Sequence, residues 1–367
     1  MSHGCSGESP SAAGSGSRAW VLRLVLTLAL VVALALGLAL GLDVLFPGFG
    51  RPGPGGGQAL LDGKRVATGV YVEAGGQRLE LEGLAPYEVV GAVEEIAPGL
   101  SLLPRDAYVD RSTRGAVPEL DGRRLDVAAM AEAVLAAKPG ESLPPVYYRV
   151  PAQVKLADFP DAPIYHGNPA KSEVAIILNV AWGDEFLDDI CALVERTGGR
   201  LTICPVGLWL EGDGGRALWL GEAVRRGHDV GNHGYYNQPM TYEATKVREE
   251  IDRTSALIRA TCGRQPTVFA PPMGASNERT LVAAADAGYR TVLWSLDTID
   301  WRLQGIEVIA ERVVSRVEAG DIILCHPTAQ TAPAMERFLP ALAEKGLRVV
   351  TLTQLLSPAL PEDSAGP

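Results

Sequence analysis

The chain has 367 residues, of which 47% are hydrophobic and 21% are charged, enough for two or three domains with a sizeable core. Its 33 basic and 44 acidic residues give a net charge of −11, which argues against nucleic acid and against peripheral membrane binding, because an acidic surface repels phosphate groups. Five cysteines without a Cys-x-x-Cys pair argue against a disulfide framework and a cysteine-based zinc site.

The N-terminal region contains an uncharged, almost wholly apolar run at residues 24–42. About 20 such residues span a bilayer as a helix, so we expect an uncleaved transmembrane anchor here. Arg18 and Arg23 precede the run, and the positive-inside rule then makes residues 1–23 a cytoplasmic tail. We therefore expect a single-pass protein of the cell membrane with extracellular C-terminal domains. The alternative is a cleaved signal peptide, since small residues around Ala39 suit a peptidase; the remainder is exported in both cases.

Two stretches with different compositions follow the apolar run. Residues 43–60 are rich in Pro and Gly and show no apolar period, which predicts a linker. Residues 61–106 combine a strand-like segment at 66–72 with helically spaced apolar residues at 86–96. This pattern predicts a small α+β unit.

Residues 107–160 predict a second small unit, in which Asp126 is the N-cap of a helix at 127–137 with strand-like segments on either side. Composition alone favours a structural stalk. However, residues 122–159 resemble the small peptidoglycan-binding module found beside exported bacterial wall proteins, including its Gly-x-x-Leu-Asp start at Gly122. That resemblance implies attachment to cell-wall glycan.

From residue 171 onward, strand-like and helical patterns alternate strictly. Seven strands and the helices between them predict a parallel sheet, either doubly wound or closed as a barrel. In both architectures ligands bind beyond the carboxyl ends of the strands. The predicted strands are residues 174–180, 201–204, 229–232, 268–270, 291–294, 322–325 and 348–350.

Histidine, carboxylate and aromatic residues gather just after these strands. Such a rim suits a glycan, because aromatic faces stack on sugar rings and carboxylates bind hydroxyl groups. Taken alone, each histidine is better explained as a hydrogen-bonded structural residue, and it is their grouping at one rim that favours a site. The residues that we expect to bind substrate are Trp301, Asp300, Pro271 and Tyr235.

The order of motifs in residues 171–357 resembles the NodB-homology domain of polysaccharide deacetylases, carbohydrate esterase family 4. VAIILNVAWGD stands where the family has its T-F-D-D-G strand, and GHDVGNHGYYN matches G-H-E-I-G-N-H-x-x-x-H. FAPPMG matches F-R-P-P-x-G, WSLDTIDW occupies the D-x-x-D-W position, and GDIILCHP the G-x-I-x-L-x-H position. The resemblance implies an α/β fold, a deformed (β/α) barrel. NVAWGDE also resembles the opening of sporulation-associated deacetylase-like proteins.

The resemblance also implies roles for particular positions. The general-base position of the family is Ala181 here, and the Arg that steadies the base is Ala270. The metal-ligand positions are Trp182, His233 and Asn237, so only His233 is retained. The acid histidine is retained as His326, and the Asp that supports it in the family as Asp297.

These replacements argue against deacetylation in this chain. Indole offers no lone pair to a metal and a carboxamide oxygen is a weak ligand, so His233 alone does not hold zinc. We expect no cofactor, or a divalent metal such as zinc if the protein is active. Asp184 and Glu185 supply ligands only if the site is rearranged; otherwise they open the following helix, whose N-terminus favours acidic residues.

Two hypotheses follow for function. In the first, an exported, membrane-anchored protein with a degenerate deacetylase domain binds cell-wall glycan, namely peptidoglycan. In the second, the protein is an active metal-dependent hydrolase that removes N-acetyl groups from that polysaccharide through a rearranged site. Metal content separates the two, since only the hydrolase needs a stoichiometric divalent ion.

Overall fold

The computed structural model describes residues 63–74 and 76–360 of the chain. The predicted cytoplasmic tail, transmembrane anchor and linker at residues 1–23, 24–42 and 43–60 lie outside these ranges. Among the described residues, no helix combines the length and the apolar character that crossing a membrane requires.

The N-terminal part of the described chain is an α+β module of short strands and two helices. Asp126 caps the second helix, since its carboxylate accepts the backbone N–H of Ala129 at 3.0 Å, which confirms the predicted N-cap. The elements are β1 Tyr71–Ala74, β2 Gln77–Glu80, α1 Pro86–Leu100, β3 Tyr108–Val109, β4 Ala116–Val117, β5 Gly122–Leu125, α2 Val127–Ala136, β6 Ser142–Leu143 and β7 Tyr147–Val150.

This module is one folded piece, and the predicted division into units 61–106 and 107–160 is wrong. Strand β6 pairs with β1 in the three-stranded sheet β2-β1-β6, so the sheet crosses the predicted boundary. Helices α1 and α2 also share one core, in which Val89 and Val93 pack with Met130 and Val134. Neither predicted unit buries its apolar face alone, because each supplies half of that core. The resemblance of residues 122–159 to a peptidoglycan-binding module stays a prediction.

The larger part of the chain alternates strands and helices, as the sequence predicts. Its elements are β8 Glu173–Val180, α3 Leu187–Arg196, β9 Thr202–Pro205, α4 Gly207–Gly212, α5 Gly214–Arg225, β10 Asp229–Val230, α6 Ala244–Cys262, β11 Val268–Phe269, α7 Glu278–Asp286, β12 Arg290–Thr291, β13 Leu296–Asp297, α8 Ile306–Val314, β14 Ile322–Cys325, α9 Thr331–Glu344, β15 Arg348–Val350 and α10 Leu352–Leu356.

The strands form a parallel sheet in the order β10-β9-β8-β14-β13, with β15 also paired to β8. A separate parallel pair, β11 and β12, meets the sheet through a bridge between Asn232 and Phe269. Within the described residues no ladder joins β12 to β13, and this gap is where the barrel departs from regular closure. The predicted α/β class and parallel sheet are confirmed, and β13 is the strand that the sequence pattern missed. All carboxyl ends therefore point to one rim.

The core lies between the central strand and the surrounding helices. All eight residues of β8 are buried, which explains why that segment is apolar except for Glu173 and Asn179. The apolar stripes predicted for the helices face this core: Ile190 and Val194 in α3, and Val313 in α8. The helical spacing of apolar residues thus predicts the buried faces of these helices correctly.

A buried lysine joins the start of β8 to the end of the last helix. Lys171, 2% exposed, donates from Nζ to the carbonyl oxygens of Gln354, Leu355 and Ser357 at 2.9, 3.3 and 2.6 Å. Glu173 lies 3.8 Å from the same nitrogen. Burial lowers the pKa of Lys171, and the helix-end carbonyls compensate for the lost hydration.

Candidate functional site

An aromatic cleft of about 460 Å³ opens at the carboxyl ends of β8, β13 and β14. It is the place where ligands bind in folds of this kind. The residues that line it are Asn179, Ala181, Trp182, His233, Asn237, Met273, Trp294, Asp297, Trp301, Leu324 and His326. The cleft therefore brings together every position that the sequence assigned to the base, the metal ligands and the acid.

Trp182 covers one side of the cleft by stacking on His326. The two ring centroids lie 5.8 Å apart with 11° between the planes, while 43% of Trp182 remains exposed. Gly183 holds this turn with φ of 81°, and a Cβ there would lie 2.1 Å from the carbonyl oxygen of Pro327. Only glycine fits this close approach, so the turn after β8 is pressed against the segment that carries His326.

Asp300 binds both the ring and the backbone of His326. Its Oδ1 lies 2.8 Å from Nδ1 of His326, and its Oδ2 accepts the backbone N–H of His326 and the hydroxyl of Thr331 at 2.7 and 2.9 Å. Asp300 is 0% exposed, so the prediction that it binds substrate is wrong. With its proton on Nδ1, the neutral ring of His326 carries an acceptor at its other nitrogen, Nε2. His326 lines the cleft.

Asp297 was expected to support His326 and instead lines the cleft. Its Oδ1 accepts the backbone N–H of Ile299 at 2.8 Å, and Oδ2 has no hydrogen-bond partner within the described part of the chain. Ile299 adopts a left-handed conformation with φ of 54°, which turns the chain so that Asp300 faces inward. The retained carboxylate of the acid side is therefore Asp300, three residues after the predicted one.

His233 is buried at the floor of the cleft. Its Nδ1 donates to the carbonyl oxygen of Ala270 at 2.6 Å, which leaves Nε2 as the free acceptor. Burial lowers the pKa of His233 to about 4, so the ring is neutral at pH 7. Asn237, four residues further along, is exposed at the rim.

The residues at the ligand positions do not fit a zinc ion. They offer one imidazole, one carboxamide and one indole, whereas catalytic zinc takes three histidine, carboxylate or thiolate ligands. In the described ranges, no group of three or more His, Cys, Asp or Glu residues has the geometry to hold a metal. His233 is the single conventional ligand among the residues at these three positions.

The proposed replacement ligands are not available. Asp184 accepts hydrogen bonds from Trp209 Nε1 at 2.6 Å and from Arg216 Nε at 2.5 Å, and it does not line the cleft. Glu185 is exposed and also lies outside the cleft lining. Both open the one-turn helix Asp184–Phe186, as the second reading of the sequence suggested. The rearranged metal site is thus not formed.

Two of the predicted substrate-binding residues also lie elsewhere. Tyr235 is 2% exposed and its hydroxyl donates to Glu211. The guanidinium carbon of Arg253 lies 3.6 Å from the centroid of its ring. Pro271 is buried in the turn after β11, and the residue from that turn that reaches the cleft is Met273. Of the four predicted substrate-binding residues, only Trp301 lines the cleft.

Several residues that line the cleft could not be predicted from the sequence. Trp294 and Leu324 lie in or beside strands, where they read as core residues, and Met273 occupies a variable position of its motif. Asn179 gave a signal, since it is the only polar side chain inside the apolar stretch Val174–Val180 of β8. It is 3% exposed, and its Oδ1 is buried without a hydrogen-bond partner in the described structure. An unpaired buried oxygen is costly, which suggests a ligand group opposite it.

Comparison with known proteins identifies the family. The uncharacterized protein YlxY of Bacillus subtilis is 31% identical over 262 residues, covering 71% of this chain and 81% of that protein. The profile of the polysaccharide deacetylase family matches residues 166–292. The chain belongs to the polysaccharide deacetylase family. A peptidoglycan-N-acetylglucosamine deacetylase of Bacillus cereus is 33% identical over 141 residues, which cover 37% of this chain and 66% of the relative.

A solved structure of the family shares the wider architecture. A protein from Bacillus anthracis, described as a CE4 family pseudoenzyme, superposes with a TM-score of 0.65 and 28% identity, covering 74% of this chain and 96% of the other. A mutant of that protein, described as having restored enzymatic activity, superposes with the same TM-score. The match extends well beyond the residues matched by the family profile, so the likeness includes part of the N-terminal module.

Proposed function

We propose that this protein is an exported, membrane-anchored member of the polysaccharide deacetylase family that binds peptidoglycan without deacetylating it. The observation that carries the proposal is the stacking of Trp182 on His326, because an indole occupies the position of a metal-binding carboxylate. The base position beside it is Ala181, which has no group to accept a proton.

The loss of these groups acts on several parts of the reaction at once. Removing a general base typically lowers a rate by about 10²–10⁴-fold. A divalent metal supplies the polarisation of the amide carbonyl and the activation of water in this family, and the donor set of the cleft does not hold one. His326 and Asp300 retain a hydrogen-bonded acid pair, but an acid alone does not generate the attacking nucleophile.

Three features support glycan binding. Trp182, Trp294 and Trp301 line the cleft, and indole faces stack on the apolar faces of sugar rings. The Bacillus cereus relative is a peptidoglycan-N-acetylglucosamine deacetylase, so the family fold accommodates this polymer. The resemblance of residues 122–159 to a peptidoglycan-binding module adds a second point of attachment.

Export and anchoring rest on the sequence of the N-terminal region. The apolar run at residues 24–42 has the length of a membrane span, and Arg18 and Arg23 orient it with the barrel outside. A link to sporulation remains a prediction from the short resemblance of NVAWGDE. A C-terminal reporter that is active only outside the cytoplasm tests the orientation, and a signal from a reporter active only in the cytoplasm contradicts it.

The decisive test measures metal, chemistry and binding on the full chain. We expect less than a stoichiometric amount of divalent metal after purification, no acetate release from chito-oligosaccharides or peptidoglycan, and co-sedimentation with insoluble peptidoglycan. Trp301→Ala should reduce the sedimented fraction, because 48% of this side chain is exposed in the cleft. Tyr236→Ala is the matched control, an exposed aromatic outside the cleft.

Two outcomes contradict the proposal. Chelator-sensitive acetate release by the unmodified protein would establish the alternative, an active metal-dependent hydrolase of N-acetyl groups. Equal sedimentation of the Trp301→Ala and Tyr236→Ala variants would remove the cleft as the glycan site. In that case the N-terminal module is the remaining candidate for wall attachment.

A further inference from the structure

We propose that the cleft selects a sugar bearing a free ammonium group, an N-deacetylated hexosamine, over the same sugar in its N-acetylated form. The inference rests on the proposed glycan binding and concerns which glycan is bound. It follows from three properties of the cleft: its charge, its unpaired acceptor atoms and its aromatic walls.

The formal charge in the cleft is negative. Asp297 contributes a carboxylate whose Oδ1 is held by the N–H of Ile299 and whose Oδ2 is unpaired among the residues that the structure describes. No Lys or Arg belongs to the described lining of the cleft. A carboxylate beside apolar walls attracts a cation more strongly than it does in water, because screening is weaker there.

Two further acceptors lie at the floor. Asn179 presents a buried, unpartnered Oδ1, and His233 presents Nε2, since its Nδ1 is bound to the carbonyl of Ala270. An ammonium group carries three N–H donors and no acceptor, which matches Asn179, His233 and Asp297 in number and in kind. An acetamide offers one N–H donor and brings a carbonyl oxygen, an additional acceptor, into the same space.

The aromatic side chains of the cleft also favour an ammonium group. A cation over an indole face is attracted by the negative face of the ring, and the attraction is stronger when the cation is desolvated. Arg302 already lies over the Trp301 ring, 4.8 Å from its centroid. The faces that serve a bound ammonium are therefore those of Trp182 and Trp294. The first of these is the residue that replaces the metal ligand, so the substitution that removes the metal also adds an aromatic wall.

Glucosamine tetramer and N-acetylglucosamine tetramer are the probes for this proposal. Titration calorimetry with the full chain should give about tenfold tighter binding of the glucosamine tetramer, which corresponds to ~1.4 kcal/mol. Asp297→Asn should abolish the preference, whereas Asp161→Asn, which removes the same charge from an exposed position outside the cleft, should preserve it. Asn179→Leu is the second variant, because it removes the unpaired oxygen without leaving a partner unsatisfied.

The outcomes separate the two proposals. Equal or tighter binding of the N-acetylated tetramer by the unmodified protein overturns the ammonium site and leaves peptidoglycan binding in place. Failure to bind either tetramer or insoluble peptidoglycan overturns both proposals. A preference for the glucosamine tetramer that survives Asp297→Asn and Asn179→Leu, in variants that unfold at the temperature of the parent, also contradicts the assignment, because both acceptors would then be dispensable.

Discussion

Trp182 lies parallel to the ring of His326, 5.8 Å between centroids, at the position where the family carries a metal-binding carboxylate. The indole therefore offers no lone pair to a metal, and it covers one face of the histidine of the acid side. Loss of a ligand and a new ring contact with His326 are two effects of the same residue. Any restoration of chemistry must begin by removing this side chain.

The first prediction is that Trp182→Asp with Asn237→His creates a zinc site. The two changes place a carboxylate and an imidazole beside His233, whose Nε2 is already free. Equilibrium dialysis should detect about one zinc per chain in the double variant and much less in the parent. Folding is checked first, since loss of a large side chain costs ~3–5 kcal/mol where it is buried, and less for the partly exposed Trp182.

Adding Ala181→Asp and Ala270→Arg should then give weak, chelator-sensitive release of acetate from chito-oligosaccharides. These changes return the base and the residue that steadies it, while His326 and Asp300 already form the acid pair. The control is His233→Ala in the same background, which should remove both zinc and activity. Zinc binding that persists in that control would contradict the proposed ligand set.

The second prediction concerns the turn that carries Trp182. Gly183→Ala should lower the free energy of unfolding by roughly 3 kcal/mol or more, because the new Cβ meets the carbonyl oxygen of Pro327 at a φ of 81°. Gly263→Ala is the matched control, with φ of 70° and no atom within 4 Å, and it should cost about 1 kcal/mol. Urea unfolding of both variants gives the comparison, and similar losses would mean that the contact with Pro327 is not tight.

The third prediction distinguishes the two carboxylates near His326. Asp300→Asn should cost about 3 kcal/mol, because one oxygen that accepts from His326 or Thr331 becomes a donor in a fully buried site. Asp297→Asn should cost less than about 1 kcal/mol, since its Oδ1 still accepts from Ile299. The downfield proton signal of His326 Nδ1 should persist in Asp297→Asn and vanish in Asp300→Asn. The reverse pattern would restore the assignment made from the sequence.

The fourth prediction is a dependence of stability on pH that arises from His228, which is buried outside the cleft. Its Nδ1 accepts the N–H of Leu201 at 3.0 Å and its Nε2 lies 2.8 Å from Glu195. Burial lowers the pKa of His228 below the usual 6.5, so between the two values the unfolded chain binds more protons than the folded chain. The contribution to stability is therefore complete above pH 6.5 and is lost as the pH falls below it.

Urea midpoints measured from pH 7.5 down to pH 5 should decline less steeply for His228→Gln than for the parent chain. The variant is less stable at pH 7.5, because the glutamine does not reproduce both hydrogen bonds. Its curve is flatter, because the titrating ring is gone. Parallel curves would show that another group accounts for the acid sensitivity.

Sequence patterns sufficed for the parts of the fold that are long and periodic. The buried strand β8 and the apolar faces of α3 and α8 follow directly from runs and spacings. Strand β13 has two residues, too short to give a pattern. The joining of the two N-terminal units was also missed, because pairing of β6 with β1 is a long-range contact between a two-residue strand and a distant one.

The sequence predicts which residues lie at the site, but it does not predict which way their side chains point. Asp297 ends β13 and Asp300 follows three residues later, and nothing in their spacing tells which one faces inward. The answer depends on the left-handed backbone of Ile299, an uncommon conformation for a β-branched residue. In the sequence, Asn179 resembles a core residue because its neighbours are apolar. Only the structure shows that its Oδ1 is buried without a hydrogen-bond partner among the described residues.

The tie between Lys171 and the carbonyl of Gln354 spans 183 positions of the chain, which has a consequence for how the barrel folds. Strand β8 is synthesised long before β14, β15 and helix α10, with which it pairs or packs. At about 5–20 residues per second, the wait is roughly 10–30 s. During that time an uncharged, β-prone stretch from Val174 to Val180 has no partner on one side, which invites wrong pairing. We therefore expect β8 to be the strand most exposed to wrong pairing while the chain is synthesised.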